Sequence, residues 1–129
     1  MAGALANRSS QVVVTCRPVW EGGRFDGSEE ERERILTGAL EAGADWIDVE
    51  WNAPGRDRLL AVAGSRAVLS LHDFDGVPAD LESRVAGMAR ATQGIVKVAV
   101  RARRLRDLLP LLDLGRRFGG LGAAVEEPG

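Results

Sequence analysis

The sequence predicts an α/β fold built on a parallel sheet, and three observations carry that prediction. Four short β-branched runs alternate with four stretches of helical periodicity, the loops between them are short, and no linker or low-complexity segment interrupts residues 11–118. Strands that follow one another in parallel need a crossover connection, and a helix is the usual one. With 129 residues, 45% of them hydrophobic and 28% charged, the chain amounts to one domain with a core of its own. Residues 1–10 are read as an N-terminal extension, and residues 119–129 as a tail too rich in glycine to assign.

The first strand covers residues 11–17 and stops where Pro18 removes a ladder donor. After the glycine-rich loop from Glu21 to Gly27, Ser28 opens a helix with Glu31 three positions on, the spacing of a capping box. Ile35, Leu36, Ala39 and Leu40 recur at helical spacing, while the charged run 29–34 is expected mostly on the wet face, with Glu30 and Arg34 one turn apart in the favourable order. Gly43 is placed to end that helix in a left-handed conformation. A second strand follows over 45–51, then a short helix over 54–63 with Leu59, Leu60 and Ala63 as its apolar stripe. The third strand, 67–72, leads through a loop to Pro78, which suits the first position of a helix reaching about Gln93, with Leu81, Val85, Met88 and Ala89 on one side. The fourth strand occupies 94–100. A last helix runs from Leu105 to Leu114, started late or kinked by Pro110.

Bulk properties narrow the function. A net charge of −2 provides no general field for nucleic acid or a membrane surface. Arg101, Arg103, Arg104 and Arg106 open a helix without interleaved aromatics and read as a solvated face. The lone Cys16 cannot form an internal disulfide and, among valines, reads as a small apolar residue rather than a nucleophile. One histidine, one cysteine and scattered carboxylates make no metal-ligand set. The Gly22-Gly23 loop lacks the lysine and spacing of a phosphate-binding loop, so a turn is the better reading. Residues 1–10 contain one arginine and no long apolar run, which predicts neither signal peptide nor anchor and points to a cytoplasmic protein.

One residue stands apart. The chain has sixteen arginines and a single lysine, Lys97, in the middle of the valine-rich fourth strand. A lysine can shed its proton when desolvated, and a guanidinium in effect never does. The chemistry that needs a neutral amine is attack on a ketone or aldehyde to form a Schiff base; the alternative is a strand-end lysine that snorkels to solvent. Alternation along the strands places Arg17, Glu50, His72 and Lys97 on one face and the apolar set on the other. Arg17, Glu50 and His72 lie at C-terminal strand ends, where α/β folds build their sites. His72 is the only histidine, so a base and a nucleophile share that face. Burial and a cation such as Arg17 nearby favour the neutral amine.

Thr15-Cys16-Arg17, Glu21-Gly22-Gly23, Asp48-Val49-Glu50, Ser70-Leu71-His72-Asp73-Phe74 and Val96-Lys97-Val98-Ala99 together resemble, in order and spacing, the type I 3-dehydroquinate dehydratases of the shikimate pathway, from about Val12 to Leu114. The resemblance implies (βα) repeats of TIM-barrel type, of which this chain holds about four units, and a hydro-lyase that converts 3-dehydroquinate to 3-dehydroshikimate. It implies that Lys97 forms an imine with the substrate ketone, and that His72 removes the adjacent proton and then helps the hydroxyl leave as water. Arg17 and Glu21 are implied as a substrate-binding pair. Asp48, Glu50 and Ser70 are implied as supporting residues, with Glu50 as orienting partner for His72 or Lys97. No cofactor or metal is implied, because the iminium is itself the electron sink.

A barrel of this kind takes about 250 residues. The family's glutamate and arginine pair on the first strand has no counterpart before Gln11, and nothing beyond Gly119 resembles its later strands. Half a barrel leaves open sheet edges and a half-exposed inner face. The expected partners are therefore the small-molecule substrate and a second chain, either another copy or a complementing half. The competing expectation is an inactive half-barrel that only assembles with another chain.

Overall fold

The computed structural model describes residues 10–101, 104–118 and 122–126. Five strands, β1 (Val13–Val14), β2 (Trp46–Glu50), β3 (Ala67–Asp73), β4 (Ile95–Arg101) and β5 (Gly122–Glu126), form one sheet in chain order. Every neighbouring pair is parallel, in the registers Val13↔Trp46, Ile47↔Ala67, Val68↔Ile95 and Lys97↔Gly122. Helices α1 (Glu29–Glu41), α2 (Arg56–Ala63), α3 (Leu81–Ala91) and α4 (Leu108–Phe118) make the four crossovers.

The core follows from strand alternation. Ile47 and Val49, then Ala67, Leu69 and Leu71, then Val96, Val98 and Val100 turn to one side of the sheet. They meet Leu36 and Leu40 of α1, Leu59 and Ala63 of α2, Leu81, Val85 and Met88 of α3, and Leu111 and Leu114 of α4. Burying each large aliphatic side chain contributes about 1.5–3 kcal/mol. With the apolar set committed to the helices, Asp48, Ser70, His72 and Lys97 are left for the other face.

Several boundaries move. β1 is two residues long because the backbone beyond it bonds to the loop: Phe25 N–H donates to the Arg17 carbonyl at 3.0 Å, and Val19 N–H to that of Phe25 at 2.9 Å. Ser28 caps α1 as expected, accepting from the Glu31 amide at 3.1 Å, and Gly43 beyond its end has φ of 101°. α3 begins at Leu81 rather than Pro78, since Pro78 belongs to a turn closed by Leu81 N–H on its carbonyl at 3.2 Å; Ala89 is exposed. α4 follows a 3₁₀ turn, Leu105–Asp107, and starts late. Pro110 sits in its first turn, where a missing N–H leaves no helical bond unmade. The glycine-rich tail is corrected in part. Residues 122–126 supply the fifth strand, pairing in parallel with β4 from Lys97↔Gly122 to Arg101↔Glu126.

Candidate active site

Sheet register brings the expected nucleophile and base together. Lys97 is the cross-strand neighbour of Ser70, and His72, two residues further along β3, is the neighbour of Ala99. With a period of two, Lys97, Ser70 and His72 share a face, with His72 one step nearer the C-terminal edge. Both Lys97 and His72 are partly buried.

Beside them lies a cluster of paired charges. Arg17 donates Nη2 to Asp48 Oδ2 at 2.5 Å, and Nη1 to Glu50 Oε2 at 2.7 Å and to Ser70 Oγ at 3.0 Å. Ser70 Oγ–H in turn donates to Asp48 Oδ1 at 2.6 Å. Arg32 then takes the remaining oxygen of Glu50, with Nη1 donating to Oε1 at 2.5 Å. The same nitrogen reaches the Cys16 carbonyl at 3.0 Å, and the rest of the guanidinium engages Glu29 at 3.1–3.3 Å. The Trp20 ring lies 5.7 Å away in cation–π contact. Arg32 and Glu50 are both 0% exposed. Burial pushes the Glu50 carboxyl up from its ordinary value, opposed by the Arg32 and Arg17 charges. Burial likewise raises the Cys16 thiol, which keeps it protonated.

The loop after β1 reaches the other side of the site. A 3₁₀ turn, Val19–Glu21, ends at Gly22, whose φ of 82° is left-handed and favours glycine. This aims the buried Glu21 at β3. Its Oε2 accepts from the His72 amide at 2.9 Å and lies 3.3 Å from His72 Nδ1. Phe74 stacks beside the imidazole, with centroids 6.2 Å apart and planes 18° from parallel. Its ring fills the space a Cβ on Gly22 would need.

Two expectations are corrected here. Glu50 is not the partner of His72 or Lys97, because both its oxygens are taken by Arg17 and Arg32; the partner of His72 is Glu21. Arg17, expected as a cation that favours the neutral amine of Lys97, is held by Asp48, Glu50 and Ser70, while Glu21 holds His72. It follows that Arg17 does not stand beside Lys97 as an isolated cation: two carboxylates match its charge. Arg32 lies in a charged run read as mostly on the wet face, and it is fully buried. Its signal was present, since it stands four residues before Leu36 and eight before Leu40, on the stripe that packs into the core. Among the described residues, no three His, Cys, Asp or Glu side chains gather as a metal-ligand set, and no helix is long and apolar enough to cross a membrane.

Comparison with known proteins places this geometry. The sequence profile of the family described as Type I 3-dehydroquinase matches residues 3–124. The 3-dehydroquinate dehydratase of Methanothrix thermoacetophila is 42% identical over 106 residues, covering 82% of this chain and 46% of that protein. That of Syntrophobacter fumaroxidans is 40% identical over 118 residues, covering 88% and 50%. Among solved structures, 3-dehydroquinate dehydratase from Geobacillus kaustophilus superposes with a TM-score of 0.74 at 26% identity, over 92% of this chain and 51% of that one. The type I enzyme of Clostridium difficile, solved with covalently modified comenic acid, gives 0.78 at 23% identity, over 91% and 51%. The fold is thus the α/β arrangement of a TIM-barrel protein over about half its extent. The chain spans about half the length of the curated relatives it matches.

Proposed function

The chain belongs to the type I 3-dehydroquinase family, and on that footing we propose that it carries the imine-forming half of a site that dehydrates 3-dehydroquinate. The observation that supports this most is the single lysine on the face and beside the strand of the single histidine, with that histidine held by a buried carboxylate.

Lys97 Nζ adds to the substrate ketone, and the carbinolamine loses water to leave an iminium. His72 takes a proton from the adjacent carbon, the electron pair moves into the iminium to form an enamine, and its return expels the β-hydroxyl. His72 gives its proton to that hydroxyl, which departs as water, and hydrolysis of the product iminium restores the amine. With Nδ1–H donated to Glu21, the lone pair of His72 sits on Nε2, the form a base needs. Glu21 therefore orients the base. Arg17, fixed by Asp48, Glu50 and Ser70, offers its remaining exposed edge to the substrate's oxygens. No cofactor is called for, because the iminium is itself the electron sink.

Borohydride reduction in the presence of 3-dehydroquinate tests the reading. The expected result is a mass increase on the peptide containing Lys97, lost in Lys97→Met. A folded sample that gives no adduct refutes imine chemistry. A second reading, an assembly half without turnover of its own, is favoured by the chain's matching only half of its relatives. Turnover that appears only on co-expression with a second polypeptide would support it.

A further inference from the structure

We propose that Arg32 is a positioning residue for Lys97: from the first turn of α1 it clamps Glu50 and keeps the charged cluster beside the amine free of surplus negative charge. The geometry begins with chain direction. A crossover helix starts where its strand ends, so the first turn of α1 lies by the C-terminal edge of the sheet, and a long side chain there can reach round to the polar face. Arg32 does so, engaging Glu50 Oε1 and the Cys16 carbonyl through one nitrogen and Glu29 through the other two. A lysine in its place has no such fork.

Two cations, Arg17 and Arg32, face two carboxylates, Asp48 and Glu50. Glu29, the fifth member, is partly exposed and more screened. The cluster ends one residue from the amine: Ser70, bonded to both Arg17 and Asp48, is the register neighbour of Lys97. Without Arg32, one guanidinium faces two buried carboxylates, and the surplus charge favours the ammonium, which cannot attack a carbonyl. Among the side chains described, the other charged groups on this face are Glu21 through His72 and Arg101 further along β4, and Arg32 bonds to neither of them. The importance of the inference rests on the reading of Lys97 as a nucleophile, but its geometry does not.

Because Lys97 is the only lysine, its reactivity can be read without the substrate. Formaldehyde condenses with a neutral amine, water leaves, and cyanoborohydride delivers hydride to the iminium; methylation of Lys97 is then scored by peptide mass against the α-amino group. At pH 7, Arg32→Gln is expected to slow Lys97 relative to that reference by roughly tenfold, as expected for one unbalanced charge about 10 Å away at a protein-like dielectric. Glu50→Gln is expected to speed it above wild type, and the double variant to fall between the two. A merely structural Arg32 gives no such ordering. If Glu50→Gln is no faster than wild type, or the double variant is as slow as Arg32→Gln, the inference is wrong. Should Arg32→Gln fail to fold, the comparison of Glu50→Gln with wild type still decides. Retained ordering combined with failed borohydride trapping would sink the dehydratase reading alone.

Discussion

Glu50 shows how a single carboxylate can be costly even when both its oxygens are paired. Desolvation raises it while two guanidiniums hold it ionised, so removing either partner exposes the penalty that the pairing offsets. A carboxyl raised in the fold binds its proton more readily there than in the unfolded chain. The folded state therefore holds the extra proton in the window above the ordinary carboxylate value, and this group's contribution to stability falls as pH rises through that window. Urea denaturation from pH 4 to 7 should show wild type losing stability relative to Glu50→Gln as pH rises. A difference that is flat, or that grows in favour of wild type, would show that the arginines outweigh the burial. Lys97 and His72 were legible because each is the sole member of its type and the alternation of their strands is clean. Arg32 was not: its immediate neighbours are charged, and only the four-residue step from Leu36 marks it as inward.

The loop after β1 is the element that turns a strand end into a site. Its glycines read as a turn and Glu21 as a substrate-binding residue by resemblance, and the turn delivers Glu21 to His72 across the sheet. Gly22 is the hinge of that delivery. Alanine there would meet a left-handed backbone, costing about 1–2 kcal/mol, and would also strike the Phe74 ring that stacks on His72. Gly22→Ala is thus expected to lower the denaturation midpoint by more than the backbone term, and adding Phe74→Ala should recover part of the loss. Strict additivity in that double-mutant cycle would mean that the ring moves aside freely. The helices were readable for a different reason. Ser28 capping and the Leu81, Val85 and Met88 stripe are local patterns, whereas the late start of α3 depends on a turn at Pro78 that periodicity does not report.

The architecture as a whole was legible from alternation and short loops, except for β5, which pairs with β4 although its glycine and alanine residues carry no strand signal in the sequence. That fifth strand moves the open edge of the sheet without closing it. In the order β1 to β5 the two outer strands each have one side with no strand among the described residues, and ladder groups left unpaired are a template for another chain. β1, two residues long, is a poor template, so the β5 side is the edge at which a second chain would pair. The polar face opposes simple aggregation, because Asp48, Ser70 and Arg17 are already bonded to one another. We therefore expect an assembly of defined size: sedimentation velocity at tens of micromolar should show a species heavier than one chain, and dilution should return it to single chains. A compact monomer that melts cooperatively across that concentration range would mean that the open edge is protected within the chain itself, and that the site, if complete, is complete in one copy.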